Sequence, residues 1–378
     1  MQATGDLTQA RQQWSESARL APSDVRSYLA LAEAAVLTHD DDSLAANANR
    51  ILAIEPNSPR GYTYRAMAEL IKNDTPAAEK DLQQALSISP NDPRASLRLA
   101  ELRIAQQRYA ESEKLLQRVL TSDPTSVGAI RGLMAVYSQQ KQPAKSLAVI
   151  SAAVQKAPEQ SDLRTLLGIA YLASRQPSSA IPEFDKALQL NKNDYDAMRF
   201  LGQTYASLGQ TSQALNTYDS WVKAHAADVN GHLLRAAFLE SQGDWAQAQK
   251  GYEKVLSIQP ENPIAANNLA FSLLERGGDM NRALALAQVA RRALPDSPNT
   301  ADTLGWAYYH KAMFSEAQAA VEVAARTQPD NPSFRYHLGM VYASLGKKNA
   351  ARSELLKARG LDTSGKNKEA IDAALSEM

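Results

Sequence analysis

Apolar residues along this chain recur at i, i+3, i+4 and i+7 in segments of helical length, and polar breaks separate the segments at a fixed interval. Proline marks most of the breaks. Pro22, Pro56, Pro90, Pro124 and Pro158 follow one another every 34 residues; the phase then passes through Lys192 and Ala226 and returns at Pro260. One extra residue near Gly277-Gly278 moves the next marker to Pro295, and Pro329 follows 34 later. A period of this length over nearly the whole chain predicts stacked two-helix units rather than one compact core.

Other positions keep the same phase. Twelve residues before the markers stand Ala10, Leu44, Ala78, Ser112, Ser146, Ala180, Ala214, Ala248, Ala283, Ala317 and Ala351, small in every case but Leu44. Twenty-four before them stand Ala32, Ala66, Ala100, Met134, Gly168, Gly202, Ala236, Ala270, Gly305 and Gly339. The residue preceding each of these is leucine except at Arg65 and Arg235, and tyrosine recurs three residues after at 137, 171, 205, 308 and 342. Small residues suit the place where two helix axes approach most closely, with Leu and Tyr filling the space beside them. Leucine at Gly202 or Ala214 is expected to overpack that joint, at about 1–3 kcal/mol.

The breaks read as stop-and-restart signals. In "ISPNDPRA" Pro90 ends one helix, Asp92 caps the next, and Pro93 sits in its first turn, where a missing N–H is harmless. "NSP" at 57–59, "ENP" at 261–263, "DSP" at 296–298 and "DNP" at 330–332 are expected to act in the same way.

Leu-Gly/Ala at positions seven and eight of the unit, Tyr at eleven, Ala at twenty and near twenty-seven, and Pro at thirty-two resemble the tetratricopeptide repeat, as in "SDLRTLLGIAYLASRQPSSAIPEFDKALQLNKND" at 161–194. The resemblance covers ten repeats starting at 25, 59, 93, 127, 161, 195, 229, 263, 298 and 332. The expected organisation is a half repeat over 1–24, ten repeats over 25–365 and a capping helix over 366–378. The repeat at 25 departs from the pattern, with "HDDDSLAANA" at its inter-helix turn. The resemblance implies an all-α, right-handed solenoid of helix pairs whose first helices line a concave face. "DTLGW" and "RYHLG", near the C-terminal end, resemble the terminal repeats of bacterial envelope tetratricopeptide proteins, above all those of the PEP-CTERM/exosortase exopolysaccharide systems. That implies a periplasmic or outer-membrane-associated scaffold in a Gram-negative bacterium.

Composition narrows the chemistry. Lys plus Arg and Asp plus Glu both total 41, so net attraction to nucleic acid or an anionic membrane is absent, and no basic stripe is interleaved with aromatics. The chain has no cysteine, which removes disulfides, thiolate metal sites and a cysteine nucleophile. No apolar run approaches the ~18 residues that span a bilayer, and residues 1–30 carry no secretory leader. The opening "GDLTQARQQWSESARLAPSD" reads as the second half of a unit, which suggests that Met1 heads a piece of a longer protein.

Catalytic constellations are not found. His39, His225, His232, His310 and His337 form no H-E-x-x-H pair, and no nucleophile elbow or phosphate loop occurs. His310 and His337 fall on first helices of adjacent repeats, but the simpler reading is a set of surface or rim histidines. Asp40-Asp41-Asp42 reads as a solvated acidic turn. No cofactor or metal is expected.

Binding is the better prospect. Positions two, five, nine, twelve and thirteen of this repeat face the concave side. Position two runs Arg26, Arg60, Arg94, Gly128, Asp162, Asp196, Asn230, with Arg131 and Arg199 at position five interrupting the order. Such a graded groove would orient an extended peptide or an anionic polymer; the alternative is a solvated face that only maintains solubility. A second candidate is aromatic: Phe271, Trp306, Tyr309 and Tyr336 beside Asn267, Asp302 and His310. These suit an interface hot spot or a sugar-stacking platform, although Phe271 and Trp306 also suit packing between helices. Position nine lacks the Asn that the chaperone-tail clamp of some tetratricopeptide domains requires. The reading is therefore a non-catalytic scaffold for protein partners. Its alternatives are the regulatory or substrate-binding arm of an enzyme whose catalytic domain lies outside this chain, and a direct polysaccharide binder.

Overall fold

The computed structural model describes residues 2–377 other than 364 and 366. Met1, at the head of the expected half repeat, lies outside the described residues, as do Ser364, Lys366 and Met378 toward the capping segment. Among the described residues there are 22 α-helices and no strand.

The first helices of the repeats are α2 (Val25–Thr38), α4 (Pro59–Ile71), α6 (Pro93–Ala105), α8 (Val127–Gln139), α10 (Ser161–Ala173), α12 (Tyr195–Ser207), α14 (Val229–Ser241), α16 (Pro263–Glu275), α18 (Pro298–His310) and α20 (Pro332–Ser344). Every one begins where the proline rhythm predicts. Their partners are α3 (Asp41–Ile54), α5 (Thr75–Ile88), α7 (Tyr109–Ser122), α9 (Pro143–Lys156), α11 (Pro177–Leu190), α13 (Thr211–Ala224), α15 (Trp245–Ile258), α17 (Met280–Ala293), α19 (Phe314–Thr327) and α21 (Lys348–Leu361). The helix α1 (Gln2–Leu20) precedes them and α22 (Lys368–Ser376) follows. The helices group into two compact units, Met1–Thr204 and Tyr205–Met378.

Within each unit the core is a row of small clusters, each shared by neighbouring repeats. In the first unit Leu163, Leu166 and Leu167 of α10 pack on Ile150, Ala153 and Val154 of α9 and Ile130 of α8. In the second unit Tyr252 and Val255 of α15 pack with Leu269 and Leu273 of α16 and Ala283 and Ala287 of α17. Ile371 and Ala374 of α22 cover Leu355 and Ala358 of α21, so the last repeat does not leave that apolar face in water.

The joint inside each repeat explains the small residues. A Cβ placed on Gly305 would lie 2.4 Å from Val321 Cγ2 and 3.0 Å from the Val321 backbone nitrogen. On Gly168 it would lie 2.4 Å from the Phe184 ring, and on Gly339 2.7 Å from Leu355 Cγ. The two exceptions to the preceding leucine are also explained. Arg65 donates to Asp81 on α5 at 2.8 Å, and Arg235 pairs with Asp219 on α13, so an ion pair takes the place of an apolar contact.

The starts of the first helices follow the expected capping, with one correction. Asp92 accepts from Ala95 N at 2.8 Å, Ser58 from Gly61 N, Asn262 from Ala265 N and Asn331 from Ser333 N. Ser297 of "DSP" makes no side-chain cap. The nearby Thr300 hydroxyl instead donates to the Ser297 and Leu294 carbonyls, both at 2.9 Å. The acidic run at 40–42 is likewise not a solvated loop. Asp40 caps α3 by accepting from Ser43 N and pairs with Arg11 of α1 at 2.6 Å, while Asp41 and Asp42 occupy the first turn, where negative charge suits the helix dipole.

The inter-helix turns share a device that the sequence hides. Each repeat places one residue in left-handed backbone at the same phase: His39, Asn73, Gln107, Lys141, Arg175, Gly209, Gly243, Gly277, Ala312 and Gly346, with φ between 52° and 79°. The extra residue in the repeat at 263 follows this position, as Gly278 precedes the cap Asp279.

An ion-pair network around the buried Arg103 of α6 ties it to α5 and, through Glu111 at 3.2 Å, to α7. Arg103, 3% exposed, donates to Glu79 at 2.8 Å and to Gln106 at 2.7 Å, and Gln106 donates to Glu79 at 2.9 Å. The bonds from Arg103 and then Gln106 hold the Glu79 carboxyl at about 2, against an ordinary 4.5.

Two outcomes follow. Gly305→Ala is expected to destabilise the second unit by about 1–3 kcal/mol, read by urea denaturation, because the clash involves backbone that cannot swing away. In acid, an unfolded chain binds a proton at Glu79 below pH 4.5 that the folded chain refuses until about 2. Stability therefore falls as the pH drops through that window, and Glu79→Gln should remove about 1–3 kcal/mol of that fall; parallel slopes for the two proteins in denaturation between pH 4.5 and 2.5 would contradict it.

Candidate functional site

Side chains at positions two, five, nine, twelve and thirteen share one face of each first helix, because successive turns bring residues three and four apart into line. In the first unit this face of α2, α4, α6 and α8 encloses a cavity of about 340 Å³. Its lining is Glu33, Val36, Leu37, Arg60, Thr63, Tyr64, Met67, Arg94, Leu97, Arg98, Glu101 and Gly128. All but Tyr64 and Arg98 occupy the five positions named.

Two of the arginines singled out from sequence converge here. Arg60 reaches Glu33 at 3.3 Å and Arg94 reaches the same carboxylate at 3.4 Å. The buried Tyr64 lies between them, and its hydroxyl accepts from Arg60 at 3.3 Å and from Arg94 at 3.1 Å. The Arg60 guanidinium also stands over the Tyr64 ring, 5.9 Å from its centre. Farther along the wall Arg98 pairs with Glu101 at 2.8 Å. Leu37 projects into the opening, 67% exposed. Gly128 stands at position two of its repeat, where the two preceding repeats carry arginine, and leaves that end open.

The remaining charges do not join this group. Arg26 is turned back to Asp24, its own helix cap, at 2.8 Å. Asp196 pairs with Arg199 at 2.8 Å, and Arg199 lies 4.0 Å over the Phe200 ring. Arg131 and Asp162 are exposed and make no ion pair among the described residues, and Asn230 is exposed beside the cap Asp228. Of the residues in that charge order, Arg60 and Arg94 are the two that converge on one carboxylate.

The aromatic candidates of the second unit do assemble, but largely inward. Trp306 is 5% exposed and is held between Tyr309, at 4.5 Å and 8°, and His337, at 4.1 Å and 16°. Its indole N–H donates to Glu275 at 2.9 Å. Asp302, 4% exposed, accepts from His337 Nδ1 at 2.8 Å. His337 is thus a buried, satisfied residue and not a rim histidine. Both faces of Trp306 are covered, so it offers no platform for stacking a sugar.

Around this stack sit the half-buried Phe271, Tyr336 and Asn267 and the exposed His310. Phe271 lies 6.4 Å from the His337 ring, and Asn267 donates to Asn268 at 3.2 Å. His310 meets Trp306 edge-on at 4.8 Å. Loss of solvent along that side lowers its pKa, with Glu275 opposing the shift and His337 adding to it. Burial, then Tyr309 and Glu275, raise that of Tyr336.

Several groups that shape these sites escaped the sequence reading, Glu33 and Tyr64 in the first unit and Glu275 in the second, while His337 was read as a rim residue. Glu33 had a visible signal, since it shares the face of α2 that looks toward Arg60. Tyr64 sits at position six, outside the expected set. Among the described residues no three His, Asp or Glu side chains converge to hold a metal ion, and no helix is long and apolar enough to cross a membrane.

Models of the tetratricopeptide repeat match residues 69–137 and 171–238, and a second pair of matches covers 239–298 and 303–375. A TPR repeat-containing protein of Pseudomonas aeruginosa is 30% identical over 84 residues, which is 22% of this chain and only 14% of that relative's length. Among solved structures, the APC/C hetero-tetramer Cut9-Hcn1 is similar with a TM-score of 0.50 at 15% identity, over 99% of this chain and 87% of that one. A tetratricopeptide repeat protein from Parabacteroides merdae gives a TM-score of 0.48 at 17% identity, over 66% of this chain and 98% of that one.

Asp302→Ala should cost about 1–3 kcal/mol, because it leaves the His337 N–H buried without a partner. It should also shift Trp306 emission, since the two rings stack. Equilibrium denaturation followed by tryptophan fluorescence checks both; an unchanged midpoint would mean that the pair contributes nothing to the second unit.

Proposed function

Because the chain belongs to the tetratricopeptide repeat family, we propose that it is a non-catalytic scaffold that holds protein partners on the first-helix face of its repeats, with the groove of α2, α4, α6 and α8 as the main seat. The observation that carries this is the cavity itself: apolar walls from Met67, Leu97, Val36 and Leu37, and a rim of guanidinium and carboxylate groups. Apolar contact supplies affinity in such a groove and the charged rim supplies orientation. Four neighbouring first helices at axis separations of ~8–10 Å span ~24–30 Å, the reach of about seven to nine residues of extended peptide.

We place this scaffold in the envelope of a Gram-negative bacterium, periplasmic or outer-membrane-associated, serving polysaccharide or sorted-protein export. The support is the resemblance of "DTLGW" and "RYHLG" to terminal repeats of envelope proteins of that kind. Residues 25–365 are taken as its ten repeats, with a half repeat before and a capping segment after.

Filling the groove tests the proposal. A Cβ on Gly128 would meet only Leu97 side-chain atoms, the nearest at 3.2 Å, so a larger residue can enter the cavity without moving backbone. Gly128→Trp should abolish proximity crosslinking to partners in the native cell while leaving the melting temperature nearly unchanged. Equal yields of the same crosslinked proteins from both forms would remove the groove from the binding function.

A further inference from the structure

Arg60 and Arg94 come from consecutive repeats, yet both aim at one carboxylate supplied by a third repeat, Glu33. The fit is poor. The contacts, at 3.3 and 3.4 Å, are longer than the ~2.7–2.9 Å of a good charge-assisted bond. Each guanidinium offers Glu33 a single nitrogen where a bidentate pair would use two. Arg60 Nε is buried and has no hydrogen-bond partner among the described residues. The Tyr64 hydroxyl accepts from both arginines, and none of the described residues accepts its own proton. Three donors therefore surround a point that Glu33 only partly satisfies. Side-chain exposures of 51% for Glu33, 40% for Arg60 and 50% for Arg94 keep the existing pairs in contact with water, where such pairs contribute little. A carboxylate arriving in a better geometry has little to displace.

The surroundings indicate what would carry that carboxylate. Directly beside the donors lie Val36, Leu37, Met67 and Leu97, with Leu37 67% exposed. At the far end Arg98 and Glu101 satisfy each other at 2.8 Å, so the unmet donors are confined to the Arg60–Arg94 end. Over the whole cavity three guanidinium groups face two carboxylates, which favours an acidic visitor.

Resting on the scaffold reading above, we propose that Glu33 is a tethered stand-in for an acidic side chain of the partner, and that the groove selects a peptide in which Asp or Glu lies within a few residues of an aliphatic residue. On binding, the partner's carboxylate takes the Arg60–Arg94–Tyr64 position, Glu33 swings into solvent, and the aliphatic side chain enters the cavity. Glu33 thereby sets both the affinity and the selectivity of the groove: neutral peptides cannot displace it, and acidic peptides bind against its competition.

Phage-displayed random dodecapeptides panned on the full chain, followed by anisotropy titration of the strongest selected peptide and of its Asp→Asn, Glu→Gln counterpart, test this. The expected result is enrichment of Asp or Glu close to Leu, Ile, Val or Met, with at least 10-fold weaker binding of the neutral counterpart. Glu33→Gln should tighten the acidic peptide 3- to 10-fold at low ionic strength, a gain that shrinks with added salt, whereas Arg60→Gln with Arg94→Gln should weaken it at least 10-fold. A merely structural Glu33 would give the opposite sign, and thermal melts by circular dichroism confirm that each variant is folded. Selected peptides without acidic enrichment, blocked by Gly128→Trp, would overturn the stand-in and leave the scaffold reading in place. Failure to select any peptide, selection of peptides indifferent to Gly128→Trp, or binding of an oligogalacturonate probe alone would overturn both.

Discussion

Two helices of a repeat can close on each other only where the side chain at the crossing is nearly absent. Gly305 lies so near Val321 that a single added carbon would press on backbone, and Gly168 and Gly339 are nearly as confined against Phe184 and Leu355. The second helix meets the same constraint with alanine or serine: Ala78, Ser112, Ala180, Ala248 and Ala317 are all fully buried. This close approach sets how each pair presents its outer surfaces. The apolar residues that flank it then reach the neighbouring repeat, so each core cluster is shared across a repeat boundary. Stability is built in this way from nearest-neighbour contacts, as expected of a quasi-one-dimensional stack.

Because the constraint is local, individual repeats can break the pattern where they repair it nearby. Arg65 and Arg235 replace a leucine and meet an aspartate on the packed helix. Six of the ten left-handed turn residues are not glycine, although that conformation costs an L-residue about 1–2 kcal/mol. The turn tolerates them because its neighbours over-determine it: Gln107 and Lys141, for example, are each held by a backbone bond to the preceding helix end.

The binding groove follows from the same geometry. Stacking in register carries positions two, five, nine, twelve and thirteen of successive first helices to one side, where residues far apart in the chain become neighbours. Glu33 and Arg94, 61 residues apart, meet only for this reason. In the second unit the same face carries rings large enough to close on themselves, and Trp306 becomes a clamped core residue with its polar edge on Glu275. One repeat architecture thus yields an open, charged pocket in one unit and an inward aromatic stack in the other, according to side-chain size.

The start of every first helix, the small residues at the joints and the extra residue after Gly277 were all legible in the amino-acid order, because each depends on contacts within one period of 34 residues. The shared face was legible too, since helical periodicity alone decides it. Which charges on that face find each other was not. Arg26 and Arg94 occupy equivalent positions, yet Arg26 is taken by the cap beside it while Arg94 crosses two repeats to Glu33 and Tyr64. The burial of Trp306, Asp302 and His337 was equally hidden, for it depends on how three rings from two helices pack together. Local order determines helices and register; tertiary contact decides which polar groups remain available, because that turns on distances of a few tenths of an ångström between repeats.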